Sequence, residues 1–80
     1  MKRECYLQRS VDHRIRYYKI QINLNLFGDW VVSRIFGSCS NQKPTRVIEQ
    51  YFKRREDAFL LIKTILQEKV KKSYFFKYID

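Results

Sequence analysis

Tyr17-Tyr18-Lys19-Ile20-Gln21-Ile22-Asn23-Leu24 decides the fold. Tyr18, Ile20, Ile22 and Leu24 alternate with Tyr17, Lys19, Gln21 and Asn23, and side chains two apart share one face of a β-strand. The segment therefore reads as a strand with one face in a core and the other in water. Just after it, residues 25–29 hold Gly28-Asp29 between apolar runs, a turn in which Gly28 can supply a positive φ. Trp30-Val31-Val32-Ser33-Arg34-Ile35-Phe36 is β-branched and aromatic, and the short link makes it the hairpin partner. A polar loop follows over residues 37–44, punctuated by Gly37 and Pro44, and residues 46–52 form a third strand. On the N-terminal side, Ser10-Val11-Asp12-His13 reads as a turn, preceded by a short strand candidate, Cys5-Tyr6-Leu7-Gln8-Arg9.

From Glu56 onward the period changes. At 100° per residue, Leu61, Ile65, Ala58, Ile62, Leu66, Phe59 and Val70 occupy about half the wheel, with Leu60, Lys63, Thr64, Gln67, Glu68 and Lys71 opposite. Glu56 and Asp57 stand in the first turn and Lys69, Lys71 and Lys72 in the last, as the helix dipole favours. The apolar stripe needs a surface to cover, and the sheet is the one available. The expected fold is α+β: a small antiparallel meander of three to five strands with one amphipathic helix packed across one face. Lys69 falls about 20° from Ala58, inside the apolar arc, so its stem must run along the core edge and its ammonium must emerge at a defined place.

The 80 residues carry 17 Lys and Arg against 8 Asp and Glu, a net charge of +9. With 45% hydrophobic and 16% aromatic residues but two Gly and one Pro, this is a folding chain of one domain, 1–80, rather than a disordered basic tail. No stretch approaches the roughly 18 apolar residues of a membrane span. The N-terminus lacks the roughly 7–15-residue apolar segment of a signal peptide, so a cytoplasmic location is expected, with Cys5 and Cys39 as free thiols. One histidine, His13, and two distant cysteines give no metal-ligand spacing, and no cofactor or small-molecule substrate is expected. No nucleophile–base pair is supported by spacing either, so an enzyme is not expected.

The order and spacing of these features resemble the WGR domain. Tyr17-Tyr18-Lys19-Ile20 is followed by Leu26-Phe27-Gly28-Asp29-Trp30-Val31-Val32, then Arg34-Ile35-Phe36-Gly37, Tyr51-Phe52, the helix around Ala58, and Lys69 five residues before Tyr74. The Leu-Phe-Gly-x-Trp stretch and the Lys-to-Tyr spacing are similar to the short stand-alone bacterial members, and the resemblance spans residues 16–74. The signature itself is altered. Phe36-Gly37-Ser38 stands where Trp-Gly-Arg is usual, the following loop is slightly longer, and Ser73 stands where Gly is common. In the eukaryotic polymerases that carry the domain, it binds DNA ends: the Trp packs on the terminal nucleotide and the Arg makes polar contacts. The resemblance thus implies a DNA-binding role in which Phe36 retains an aromatic face, whereas Ser38 retains neither the charge nor the reach of the arginine.

Arg34 and Phe36 are two apart on a strand and so share a face. They form an aromatic-plus-guanidinium platform for an unstacked base or terminal sugar, an ordinary cation–π pair, or a Phe36 buried in the core beside a solvated Arg34. Gln42, Lys43 and Arg46 on or beside the loop offer donors to phosphate oxygens, unless the loop is merely solvated. Lys69 is placed to anchor a phosphate or the local structure. Lys71, Lys72 and Lys77 around the aromatic tail residues 73–78 suit nucleic acid, a protein surface, or simple closure of the helix. Lys53-Arg54-Arg55 sits at the end of the helix that the dipole disfavours for cations. The expected function is a non-catalytic nucleic-acid-binding module, DNA first, at ends, nicks or single-strand junctions, through Arg34, Phe36, Gln42, Lys43, Arg46 and Lys69. The alternative is a protein-interaction or self-association module using exposed aromatics such as Phe75 and Phe76.

Overall fold

The alternation that opens at Tyr17 extends over a longer strand than the sequence alone marks. The computed structural model of the chain describes residues 2–79. Strands β1 (Lys2–Val11) and β2 (Arg14–Leu24) form a hairpin whose two loop residues, Asp12 and His13, have φ of 50° and 66°. Two left-handed loop residues give the turn a twist that matches the strands, and Asp and His tolerate that region better than most side chains. Pairing from Lys2↔Asn23 to Val11↔Arg14 is continuous, which is why β1 outruns the expected residues 5–9. The β2–β3 turn is held by Asn25, whose Oδ1 accepts the backbone N–H groups of Phe27 at 3.0 Å and Asp29 at 2.9 Å. Gly28 there has φ 80°.

β3 (Trp30–Ser38) and β4 (Arg46–Phe52) continue the meander, α1 (Arg55–Lys71) crosses back, and β5 (Phe75–Ile79) pairs with β1. The sheet order is β4-β3-β2-β1-β5, antiparallel throughout. The aromatic tail is thus a fifth strand at the far edge, with Phe75 and Phe76 about half exposed.

One face of the sheet is sealed by the helix. Cys5 and Leu7 from β1, Tyr18, Ile20 and Ile22 from β2, and Val32 from β3 are buried with Ala58 and Ile65 of α1. Trp30, Phe36, Phe52, Phe59, Leu61, Ile62 and Leu66 pack around them. Two expected core positions lie outside. Val70 is half exposed because it stands at the rim of the helical arc, while Ala58 and Ile65 hold its centre; Leu24, at the end of β2, is likewise half exposed.

The helix closes through a local device. Ser73 takes φ 70°, the Tyr74 N–H donates to the Lys69 carbonyl at 3.0 Å, and the Ser73 N–H donates to the Val70 carbonyl at 3.1 Å. This is the Schellman closure, normally built around a glycine, and it brings the residue after the turn back over the last helical turn. The spacing of Lys69 and Tyr74 is the spacing of its two hydrogen-bonded ends. No helix among the described residues is long and apolar enough to cross a membrane.

Candidate nucleic-acid interface

The Schellman closure lays Tyr74 beside Tyr18, with ring centroids 6.2 Å apart and an interplanar angle of 72°. Three cations converge on these two rings. Lys69 Nζ lies 4.4 Å from the centroid of Tyr18 and 5.8 Å from that of Tyr74. Arg34 Nε donates to the Tyr18 hydroxyl at 2.6 Å, its guanidinium 5.9 Å from the ring centroid. The Arg9 guanidinium stands 4.9 Å over Tyr74 and donates from Nη1 to the Lys72 carbonyl at 3.1 Å, capping the helix end. The strand register extends the group on the same face: Arg16 is opposite Arg9, Ser38 is opposite Arg16, and Arg46 is opposite Phe36.

The ring faces offset part of the cost of this crowding, at about 0.5–2 kcal/mol per cation. They do not neutralise it. Among the described residues none of Arg9, Arg34 and Lys69 is in an ion pair; the pairs are Lys53–Asp29, Arg54–Glu56 and Lys72–Glu68. Burial holds the Lys69 ammonium below the usual lysine range, and Lys72, Arg34 and Arg9 push the same way against the opposing pull of Glu68. Arg9 Nε is buried without a hydrogen-bond partner. A guanidinium fork and an ammonium held beside one another, neither of them in an ion pair among the described residues, form a surface suited to an anionic oxygen cluster such as phosphate.

Four of the six expected residues, Arg34, Phe36, Arg46 and Lys69, share this helix-side face. Phe36 is half buried: its ring stacks on Tyr18 at 5.0 Å and 10°, so one face is occupied. The Arg34–Phe36 platform is therefore organised through Tyr18 rather than as a direct pair. Gln42 and Lys43 are exposed in the loop after β3, and Gln42 lines a groove on the opposite, open face of the sheet. Arg9, Arg16 and Tyr18 escaped the sequence reading as interface residues. Arg9 and Arg16 are equidistant from the Asp12-His13 turn, a signal legible once that turn is placed. Tyr18 was concealed by its membership of the apolar face.

The open face carries a ladder of tyrosines across three strands. Tyr78 and Tyr6 stack at 5.3 Å and 0°, and Tyr6 and Tyr17 at 6.0 Å and 7°. Beyond Tyr17 the neighbouring strand presents Gly37, which adds no ring. A Cβ at Gly37 would stand 2.8 Å from the Thr45 backbone nitrogen, so glycine there lets the loop fold over the sheet. The basic run ahead of the helix has structural occupations: Lys53 pairs with Asp29 at 2.7 Å, and the Arg55 guanidinium lies 5.0 Å from the Phe59 ring centroid. His13 is exposed in its turn, Cys5 and Cys39 are free, and no group of three or more His, Cys, Asp or Glu among the described residues could hold a metal ion. Comparison with family models, with curated proteins and with solved structures finds no match for the chain.

Proposed function

We propose that the chain is a non-catalytic nucleic-acid-binding module of WGR-like type. In this reading it takes DNA first, at ends, nicks or single-strand junctions, through phosphate contacts on the helix-side face. The observation that carries this reading is the convergence of Arg9, Arg34 and Lys69 on Tyr18 and Tyr74 without a carboxylate partner. A protein does not gain stability by packing like charges together, so the arrangement favours a bound anion that relieves them. Arg16 and Arg46 widen the patch to the dimensions of several phosphates, and Phe36 offers its remaining ring face beside them.

The test separates local geometry from net charge. Arg34→Gln with Lys69→Gln, and Lys53→Gln with Arg54→Gln, each remove two positive charges, from opposite regions of the fold. Binding to an open-ended duplex, followed by fluorescence anisotropy, is expected to weaken about 100-fold in the first pair, at roughly 1–2 kcal/mol per charge-assisted contact, and less than threefold in the second. Equal losses would reduce the interface to non-specific charge and remove the reading.

A second reading, protein interaction, is favoured by the tip of the β2–β3 turn, where Leu26 is fully exposed and Phe27 is 86% exposed. This tip is a better docking feature than Phe75 and Phe76, which are partly covered in β5. Retention on heparin only at low salt, together with a dimeric mass in solution, would favour it over nucleic-acid binding.

A further inference from the structure

We infer that the groove on the open face of the sheet receives one unpaired base of a single strand that also contacts the cations on the opposite face, the strand passing around the end of β3. The inference rests on the nucleic-acid reading and deepens it by assigning a second subsite and a strand path. Its core is the ladder Tyr78, Tyr6, Tyr17: each ring stacks on the next, and the series stops at Tyr17 because Gly37 stands next to it. Tyr17, with Tyr6 stacked against it, lines a groove of about 460 Å³ whose other walls include Ile35, Cys39 and Pro44. A planar ring entering there continues an existing stack, which suits any base because every base has a π-face. Lys19 and Gln42 also line the groove, and among the described residues no carboxylate does, so its rim favours a ligand with hydrogen-bonding edges and an anionic backbone.

The two subsites are continuous. Arg16 and Tyr17 are consecutive on β2, so one faces the cation cluster and the other the groove at the same level of the sheet. On β3 the same level is Gly37 and Ser38, after which the chain leaves the sheet. Ser38 and Ser40, joined by a 2.9 Å hydrogen bond between their hydroxyls, form part of the rim there. Small hydroxyl residues present no bulk to a passing backbone and can hydrogen-bond phosphate oxygens. A flexible single strand can bend over such a rim, and a duplex cannot.

Three probes decide the matter: a twelve-residue oligothymidylate, a hairpin duplex closed at both ends, and thymidine monophosphate. Tyr17→Leu keeps an apolar side chain but removes the stacking plane, and is expected to weaken oligothymidylate binding about tenfold while leaving the closed duplex within twofold. Tyr17→Phe keeps the plane and should bind as the parent does, and Gln42→Ala, at an exposed position, should weaken oligothymidylate binding about threefold. Should Tyr17→Leu unfold, Gln42→Ala decides together with amide NMR shifts at Tyr17, Gly37 and Gln42 on adding oligothymidylate. No effect of Tyr17→Leu on the oligonucleotide, equal losses on oligonucleotide and duplex, or monophosphate binding as tight as the oligomer would each overturn the inference. Arg34→Gln with Lys69→Gln abolishing duplex binding while the Tyr17 and Gln42 variants change nothing would overturn the groove alone. A parent protein that binds neither polymer would overturn both readings.

Discussion

Removing Arg34 should change how binding responds to salt, not only how tight it is. Five cations, Arg9, Arg16, Arg34, Arg46 and Lys69, lie on the helix-side face. If each neutralises one phosphate of a duplex, the slope of log K against log salt is about −4.5, at roughly −0.9 per phosphate. Raising salt fourfold, from about 50 to 200 mM, then weakens binding about 500-fold. Arg34 holds its guanidinium fixed through Tyr18, so Arg34→Gln is expected to lose one full phosphate contact and make the slope shallower by about 0.9. The glutamine can still reach toward the Tyr18 hydroxyl, so the buried ring is not left facing a void. The assay is anisotropy of a labelled duplex at five salt concentrations, for the parent and the variant. A flat parental response would refute phosphate binding altogether. A variant that binds more weakly with an unchanged slope would show that Arg34 supports the fold rather than a phosphate.

Ser73→Gly should stabilise the protein by about 0.5–1 kcal/mol, since a non-glycine residue in the left-handed region carries a strain that exceeds the extra chain entropy of glycine. Thermal unfolding should show Tm rising by about 2–8 °C, and no rise would mean that Ser73 is unstrained. The depressed Lys69 ammonium disfavours the folded state while charged: its folded pKa lies below the ordinary 10.5, so the unfolded chain binds more protons in that window and stability rises with pH there. Lys69→Met removes this dependence, so the parent-minus-variant difference in unfolding free energy from urea titration should rise as pH approaches 10.5; a constant difference would contradict the assignment. Leu26→Ser with Phe27→Ser should leave the free energy of unfolding within about 0.5 kcal/mol of the parent, because both side chains are exposed in the native state. If the tip is a self-association surface, the same variant becomes monomeric by light scattering, and an unchanged mass removes that role.

The fold was readable where the period was unambiguous. Tyr18, Ile20 and Ile22 are buried as their alternation requires, and the helix buries Ala58 and Ile65 at the centre of its arc. β1 was only partly readable, because Arg3, Glu4 and Ser10 break the apolar alternation and their pairing is imposed by the turn at Asp12-His13. The site divides in the same way. Lys69 announces itself by standing inside an apolar arc, and it emerges over Tyr18 as a buried stem with a guided head would. Arg9 gives no such sign, because its neighbours in space come from the end of a helix more than sixty residues later in the chain. The separation of Gln42 from Arg34 could not be read at all, since it depends on which face the loop over Gly37 folds toward.

The position of Ser73 joins these strands of argument. A glycine there would close the helix with less strain, yet the closure itself is what carries Tyr74 back against Lys69 and Arg9. The cation cluster is therefore built on a local backbone motif and not on a charge from the Phe36-Gly37-Ser38 segment. Ser38 brings no charge to the rim, and the geometry that holds Arg9, Arg34 and Lys69 on two rings does not depend on one there. Arg16, opposite Ser38 in the sheet, puts a guanidinium on the same face next to that position. The charges of the proposed interface are fixed by the helix closure and the strand register rather than by the loop after β3.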